Sequence, residues 1–289
     1  MKSKKKLVIV FDLDQTIGYF TQFAIFMEGL EKYIKRKLKR EEFYKLLDLY
    51  PKIFRPKMMD LFKYLEKIKR NNKWLKIMIY TNNNGPKSWT YDIKNYIERK
   101  LNYKLFDKVI TAWKVNRIIY EKCRTSHDKS YRDLKSCAKF IKNNDKIYFL
   151  DDQAHPFMKH ANITYDHLSG YKYDILFEHM CDVFINSKLH KILPKNEDEI
   201  FKNSKRFKKK KREKKREELR NEKFKTFIVS FSKTDPLGFR YVEKSYKNIL
   251  SIGNEKLIPK IRKFVSKNRP KLSRKKKKGK QKNKTRKKI

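Results

Sequence analysis

Glycine and proline are scarce, at 7 and 8 of 289 residues, which excludes collagen-like and flexible-linker chains. No glycine-rich phosphate loop exists, so kinases of the P-loop type are excluded as well. Cysteine is limited to Cys123, Cys137 and Cys181, an odd number without C-x-x-C spacing. That pattern speaks against a disulfide scaffold and a zinc site, and it suits a reducing compartment. Long apolar runs are absent: nothing approaches the ~18 residues of a membrane span. The run from Leu7 to Phe11, after Lys4-Lys5-Lys6, is too short for a signal core and ends at an aspartate. A soluble, intracellular protein of nucleus or cytoplasm is expected, with no transmembrane segment.

Acidic residues are also few, 32 against 77 Lys and Arg, giving a formal charge of +45. The excess is concentrated late in the chain. Residues 202–225 hold 14 Lys/Arg and 4 Glu, and residues 267–289 hold 14 Lys/Arg and no acid. Such tracts attract polyanions with strong salt dependence, so nucleic acid or an acidic partner is expected there. No aromatics interleave the last tract, and base stacking is therefore not indicated. Yet aromatics make up 14% of the chain, more than a disordered protein carries, so a packed core is joined to these basic segments.

The N-terminal part alternates strand-like and helix-like segments. Residues 7–13 read as a buried parallel strand, 56–70 as a helix, 75–81 as a second strand ended by Asn82-Asn83-Asn84-Gly85-Pro86. A helix over 87–101, a strand over 108–113, a helix over 130–143 and a strand over 146–150 follow. This alternation predicts an α/β sandwich around a mostly parallel sheet. Residues 171–193 read as helical, and 202–225 as a solvated helix or linker. Residues 226–265 form a small apolar extension, and 266–289 read as a disordered tail. The domain expectation is accordingly 1–200, 201–225, 226–265 and 266–289.

In a parallel sheet, ligands bind beyond the carboxyl ends of the strands. Asp12 and Asp14 follow the first strand, Thr81 ends the second, and Asp151 and Asp152 follow the fourth. Acid pairs at such an edge call for a hard divalent cation, and Mg²⁺ on carboxylates and substrate phosphate is the usual case. A carboxylate can attack phosphorus, and a neighbouring one can protonate the leaving oxygen. Thr16 and Asn82, beside these motifs, are further candidate substrate contacts. His127, His155 and His160 lack a ligand-like context and read as surface or core residues.

Val-Ile-Val-Phe-Asp-Leu-Asp-Gln-Thr, Ile-Met-Ile-Tyr-Thr-Asn and Ile-Tyr-Phe-Leu-Asp-Asp resemble three of the four motifs of the haloacid-dehalogenase-like phosphohydrolases. Phe54-Arg55-Pro56 is similar to the Arg-Pro-Gly signature of the FCP/SCP-like (NLI-interacting-factor-like) branch, with Lys57 in place of the Gly. Glu121-Lys122-Cys123 and Tyr131-Arg132-Asp133-Leu134 resemble that branch's Glu-Ser-Cys and Tyr-x-Lys-Asp-Leu block. The likeness spans about residues 5–185. It implies a HAD-like Rossmannoid three-layer sandwich with a basic C-terminal extension. It makes Asp12 the nucleophile and Asp14 the acid/base, gives phosphate binding to Thr81, and places Mg²⁺ on Asp12, the Asp14 carbonyl and Asp152, with Asp151 beside them. The required active-site cation falls to Arg132, nine residues after Cys123, or to Lys129.

The resemblance thus implies a Mg²⁺-dependent phosphatase with an aspartyl-phosphate intermediate. Its expected substrate is phosphoserine or phosphothreonine in proteins, the polymerase C-terminal repeat being one candidate. The basic field keeps open a phosphatase of nucleic-acid ends or nucleotides. A third reading is a binding protein of this fold with weak turnover, recruited by its basic tail.

Overall fold

In the computed structural model, residues 5–194, 209–234 and 256–270 are described. Five strands form one parallel sheet in the order β3-β2-β1-β6-β7: β1 (Leu7–Phe11), β2 (Leu75–Tyr80), β3 (Lys108–Ile110), β6 (Lys146–Asp151) and β7 (Ile163–His167). The intervening β4 (Lys114–Val115) and β5 (Ile118–Ile119) make a separate antiparallel hairpin. Among the expected strands, 108–113 shortens to three residues because the chain leaves the sheet at Thr111. Strand β7 and the hairpin carried too little apolar patterning to be read in advance. The half-exposed Ile-Thr-Tyr-Asp-His of β7 is an edge strand with a mixed face.

Side chains of β1 alternate between two cores, as the period of a strand requires. Leu7, Ile9 and Phe11 enter a large cluster with the helices of one face. Val8 and Val10 enter a smaller cluster with Leu134, Cys137, Ala138 and Ile141. Both faces of the central strand are therefore buried, which explains its unbroken apolar run. The large face is covered by α1 (Thr21–Tyr33), α2 (Arg40–Leu49), α3 (Met58–Arg70), α4 (Lys87–Leu101) and α6 (Phe177–Ile185). The short α5 (Tyr131–Cys137) covers the other face. The helix expected over 130–143 stops early because Ala138 leaves helical geometry, and a turn leads into β6.

Two later helices complete the large face. Helix α7 (Lys209–Lys233) runs through residue 225, so the charge step there is not a structural boundary. It is not a fully solvated helix either. Phe224 and Ile228 are buried, and the Phe224 ring meets those of Phe26, Tyr33 and Phe184. Lys225 also pairs with Asp182 on α6 at 2.8 Å. Helix α8 (Leu257–Asn268) buries Leu257, Ile261, Phe264 and Val265 in the same cluster. The apolar residues of 226–265 that are described thus dock on the α/β unit. The rest of that segment, residues 195–208 and the tail from 271 lie outside the described residues. Phe224→Ala is expected to lower unfolding free energy by about 3 kcal/mol, the low end for truncating a buried Phe. A urea titration checks it; an unchanged midpoint would mean that α7 does not dock.

Candidate active site

Parallel strands bring their carboxyl ends to one edge, and β1 lies between β2 and β6. Asp12 follows Phe11, and its N–H donates to the Leu150 carbonyl at 2.9 Å, which holds it against the end of β6. Asp151 is the last residue of β6, and Asp152 follows it. Oxygens of Asp12, Asp151 and Asp152 lie within 4.8 Å of one another. This juxtaposition was expected from the strand ends and is what the structure builds.

Lys129 reaches this acidic edge from the loop ahead of α5. Its ammonium donates to Asp12 Oδ1 at 2.5 Å and to Asp151 Oδ2 at 2.6 Å, and its side chain is 2% exposed. Burial alone would pull the lysine down, but the charges of Asp12 and Asp151 win and hold it above its ordinary range. Arg132 lies exposed on α5 and does not line the site. Of the two candidate cations, geometry selects Lys129. It precedes Ser130, the extended N-cap of α5, and its ammonium reaches Asp12 and Asp151, whereas Arg132 is already on the helix.

Asp14 stands outside the three-carboxylate group and accepts a hydrogen bond from Asn83 Nδ2 at 2.7 Å. Burial pushes its carboxyl up, against the opposing pull of Asn83 and Lys129. Thr81 is buried at the end of β2, and its hydroxyl accepts from the Asn83 N–H at 3.1 Å. Asn82 lines the same cleft, and its Oδ1 is a buried atom without a hydrogen-bond partner. Thr16 differs from expectation. It is fully buried, does not line the cleft, and donates from Oγ1 to Asp152 Oδ1 at 3.1 Å.

Three supports were not assigned roles from sequence. Arg55, buried, donates to the carbonyls of Thr16, Gln15 and Ser169 at 2.8, 2.6 and 2.7 Å, tying the loop after β1 to that after β7. Its place in Phe54-Arg55-Pro56 was the available signal. Arg124, also buried, donates to the carbonyls of Thr81 and Thr111 at 3.2 and 2.9 Å and to that of His127 at 2.9 Å. His155 Nε2 lies 3.2 Å from Asp151 Oδ2, so this histidine is neither a plain surface nor a plain core residue. The spacing of Asp151 and His155 gave no hint, since Asp151 ends β6 and His155 lies in the loop beyond it.

The donor set fits a hard divalent cation. Seven carboxyls line the cleft against three cations, Lys37, Arg40 and Lys129, so negative charge is in excess. Burial pushes the Asp12 carboxyl up to about 8 against the pull of Lys129, with Asp151 and Asp14 adding to the rise. Asp151 is instead held low: burial acts against this, but His155, Lys129 and the Gln153 N–H prevail. Asp152 is raised by burial and by Asp151. A cation would relieve the strain that these directions report.

The cleft above the acids has a volume of about 1190 Å³. Its far walls come from α1 with its N-cap Phe20, from α2 and from α4, and include Phe20, Ala24, Met27, Phe43 and Trp89. The long stretch from Thr16 to Leu49 supplies most of this helical wall. Phe20, Phe23 and Phe26 are packed into the core, and Tyr33 is partly buried. No helix among the described residues is long and apolar enough to cross a membrane.

No family model, curated protein or solved structure matches this chain.

Proposed function

We propose that the chain is a Mg²⁺-dependent phosphatase of the HAD-like, FCP/SCP-like type, acting through an aspartyl-phosphate intermediate. One observation carries the reading: Lys129 bridges Asp12 and Asp151 at the carboxyl edge of a parallel sheet, with Asp152 and Thr81 alongside. An ordinary turn or helix cap needs no buried ammonium shared by two buried acids.

In this reading a carboxylate oxygen of Asp12 attacks phosphorus, and the bond from phosphorus to the ester oxygen breaks. Asp14 gives its proton to the departing oxygen, a task suited to a carboxyl raised by burial. Asp14 then takes a proton from water, the hydroxide attacks phosphorus, and the phosphorus–Asp12 bond breaks to release inorganic phosphate. Lys129 holds Asp12 in line and offsets charge on the transferring group. Thr81 and the adjacent backbone amides bind phosphate oxygens. Asp12, Asp152, Asp151 and the Asp14 carbonyl would hold Mg²⁺, which supplies charge neutralisation when bound.

The favoured substrate is a phosphoserine or phosphothreonine in a protein. The wall of Phe20, Met27, Phe43 and Trp89 suits apolar side chains beside the phosphate. The cleft's cations away from Lys129 are Lys37 and Arg40, and Lys37 is bound to Glu31 at 2.7 Å. That lining offers little to a polyanionic strand. Purified protein is expected to release phosphate from an aryl phosphate with Mg²⁺ and not after chelation by EDTA. It should turn over a phosphopeptide faster than a 3′- or 5′-phosphorylated oligonucleotide. No release from any of the three would sink the enzyme reading, and faster oligonucleotide turnover would reject the protein substrate.

Asn83 positions Asp14 and touches no phosphate in this reading. Asn83→Ala is expected to lower kcat about tenfold, the scale of one lost orienting hydrogen bond. The alkaline limb of the pH profile should move with it, because Asn83 stabilises the ionised carboxyl. An unchanged kcat and profile would remove Asn83 from the mechanism.

A further inference from the structure

The Cys123 and Cys137 sulfurs are joined, with Cα atoms 5.1 Å apart and a separation of 14 residues. This overturns the expectation from cysteine number and spacing. The pairing is tertiary: Cys123 precedes the Lys129 loop, and Cys137 ends α5 behind it. The bridge therefore closes a ring of chain that contains Lys129, the cation on Asp12. Cys181 is buried on α6 and takes no part.

We propose that this cysteine pair is a redox gate on Lys129. Two thiols and a small-molecule disulfide give the protein disulfide and two small thiols. The two sulfur–hydrogen protons and the electron pair pass to the small thiols, and a dithiol reverses the exchange. With the bridge closed, both ends of the 124–136 segment are tied to each other. The rest of the segment is held by Arg124 on the Thr81, Thr111 and His127 carbonyls and by Thr125 on Asp133, whose bonds are 3.0 Å. Those contacts are non-covalent and do not respond to redox state. The sulfurs alone in this segment change covalently. Cys123 is half-buried against the smaller core, while Cys137 is buried. Glu121 Oε1 lies 3.3 Å from Cys123 Sγ and gives the thiol an acceptor once the bridge is cut. The reduced pair is thus also accommodated, as a reversible device requires.

Opening the ring releases chain entropy in the segment that must hold a buried ammonium against two acids. Lys129 then spends less time on Asp12. In a reducing compartment the closed form is transient, and oxidation raises activity. The kcat arm of the test rests on the phosphatase reading, and the proteolysis arm does not.

Full-length protein is equilibrated with oxidised glutathione or with dithiothreitol and assayed three ways. Alkylation and mass measurement count free thiols. Limited trypsin reads exposure of the bonds after Lys129, Arg132 and Lys135. Aryl phosphate hydrolysis with Mg²⁺ reads turnover. Reduction is expected to free both thiols, speed cleavage in the segment about fivefold, and lower kcat about tenfold, the scale of a small misplacement of a catalytic group. Cys123→Ser and Cys137→Ser should each match the reduced form and ignore oxidant, and Cys181→Ser should respond like the parent. Equal cleavage and equal kcat in both forms, or thiols that stay free in the oxidant, would overturn the gate. A cleavage response without hydrolysis in either form would support the gate and reject the phosphatase reading.

Discussion

Asp12→Asn is expected to abolish phosphate release, by at least about a thousandfold in kcat, because an amide cannot serve as the attacking carboxylate. The fold should survive, since Asp151 remains to accept from Lys129. The assay is aryl phosphate hydrolysis with saturating Mg²⁺, run beside far-ultraviolet circular dichroism of the same samples. Residual activity near the parent level would show that another group attacks phosphorus and would remove the central assumption. The conservative change also separates nucleophile from ligand. Asp152→Asn should weaken the stimulation by Mg²⁺ while leaving turnover measurable at high metal.

Lys129→Met should act on both stability and rate. Two buried acids would lose the ammonium that bonds Asp12 Oδ1 and Asp151 Oδ2. Removing one partner of a buried ion pair costs about 3–5 kcal/mol, and the metal-free variant should show that loss in urea unfolding. Added Mg²⁺ should restore part of it, because the cation fills the same charge deficit. The rate should fall about a hundredfold or more, since a preorganised charge aimed at the transferring group is gone. Lys129→Arg should recover stability better than rate, as the planar fork does not fit the space of a compact ammonium. Arg132→Ala, exposed on α5, should change neither beyond about twofold, the ordinary size of a surface substitution. If Arg132→Ala proved the more damaging, the assignment of the cation would be reversed.

The contrast between Lys129 in the loop and Arg132 on α5 marks where local pattern ran out. Arg132 sits at the spacing the family likeness names, and Lys129 does not. Only the path of the loop, held by Arg124 on the carbonyls of Thr81 and Thr111, decides which side chain enters the site. The strands carrying Asp12, Thr81 and the Asp151-Asp152 pair were legible because central strands buried on both faces must be apolar throughout. Helix α4 was legible across 87–101 because one face is apolar at helical spacing and a turn signal precedes it. Edge strand β7 and the hairpin were not, because a half-exposed strand tolerates polar residues. Helix α7 was read as solvated because charge dominates its composition, yet Phe224 and Ile228 suffice to dock it.

Order along the chain was enough to set the alternation of strand and helix, the apolar cores of β1, β2 and β6, and the acids and threonine at their ends. Those features depend on period and on neighbours a few residues away. The ammonium on Asp12, the hydrogen bond from Asn83 to Asp14, the turning of Thr16 toward Asp152 and the joining of Cys123 to Cys137 were decided in three dimensions. Asn83, for example, lies 69 positions from Asp14, and Lys129 lies 117 positions from Asp12. A buried charge accepts whichever partner the converging strands and loops bring within a few ångströms, and no local rule encodes that choice.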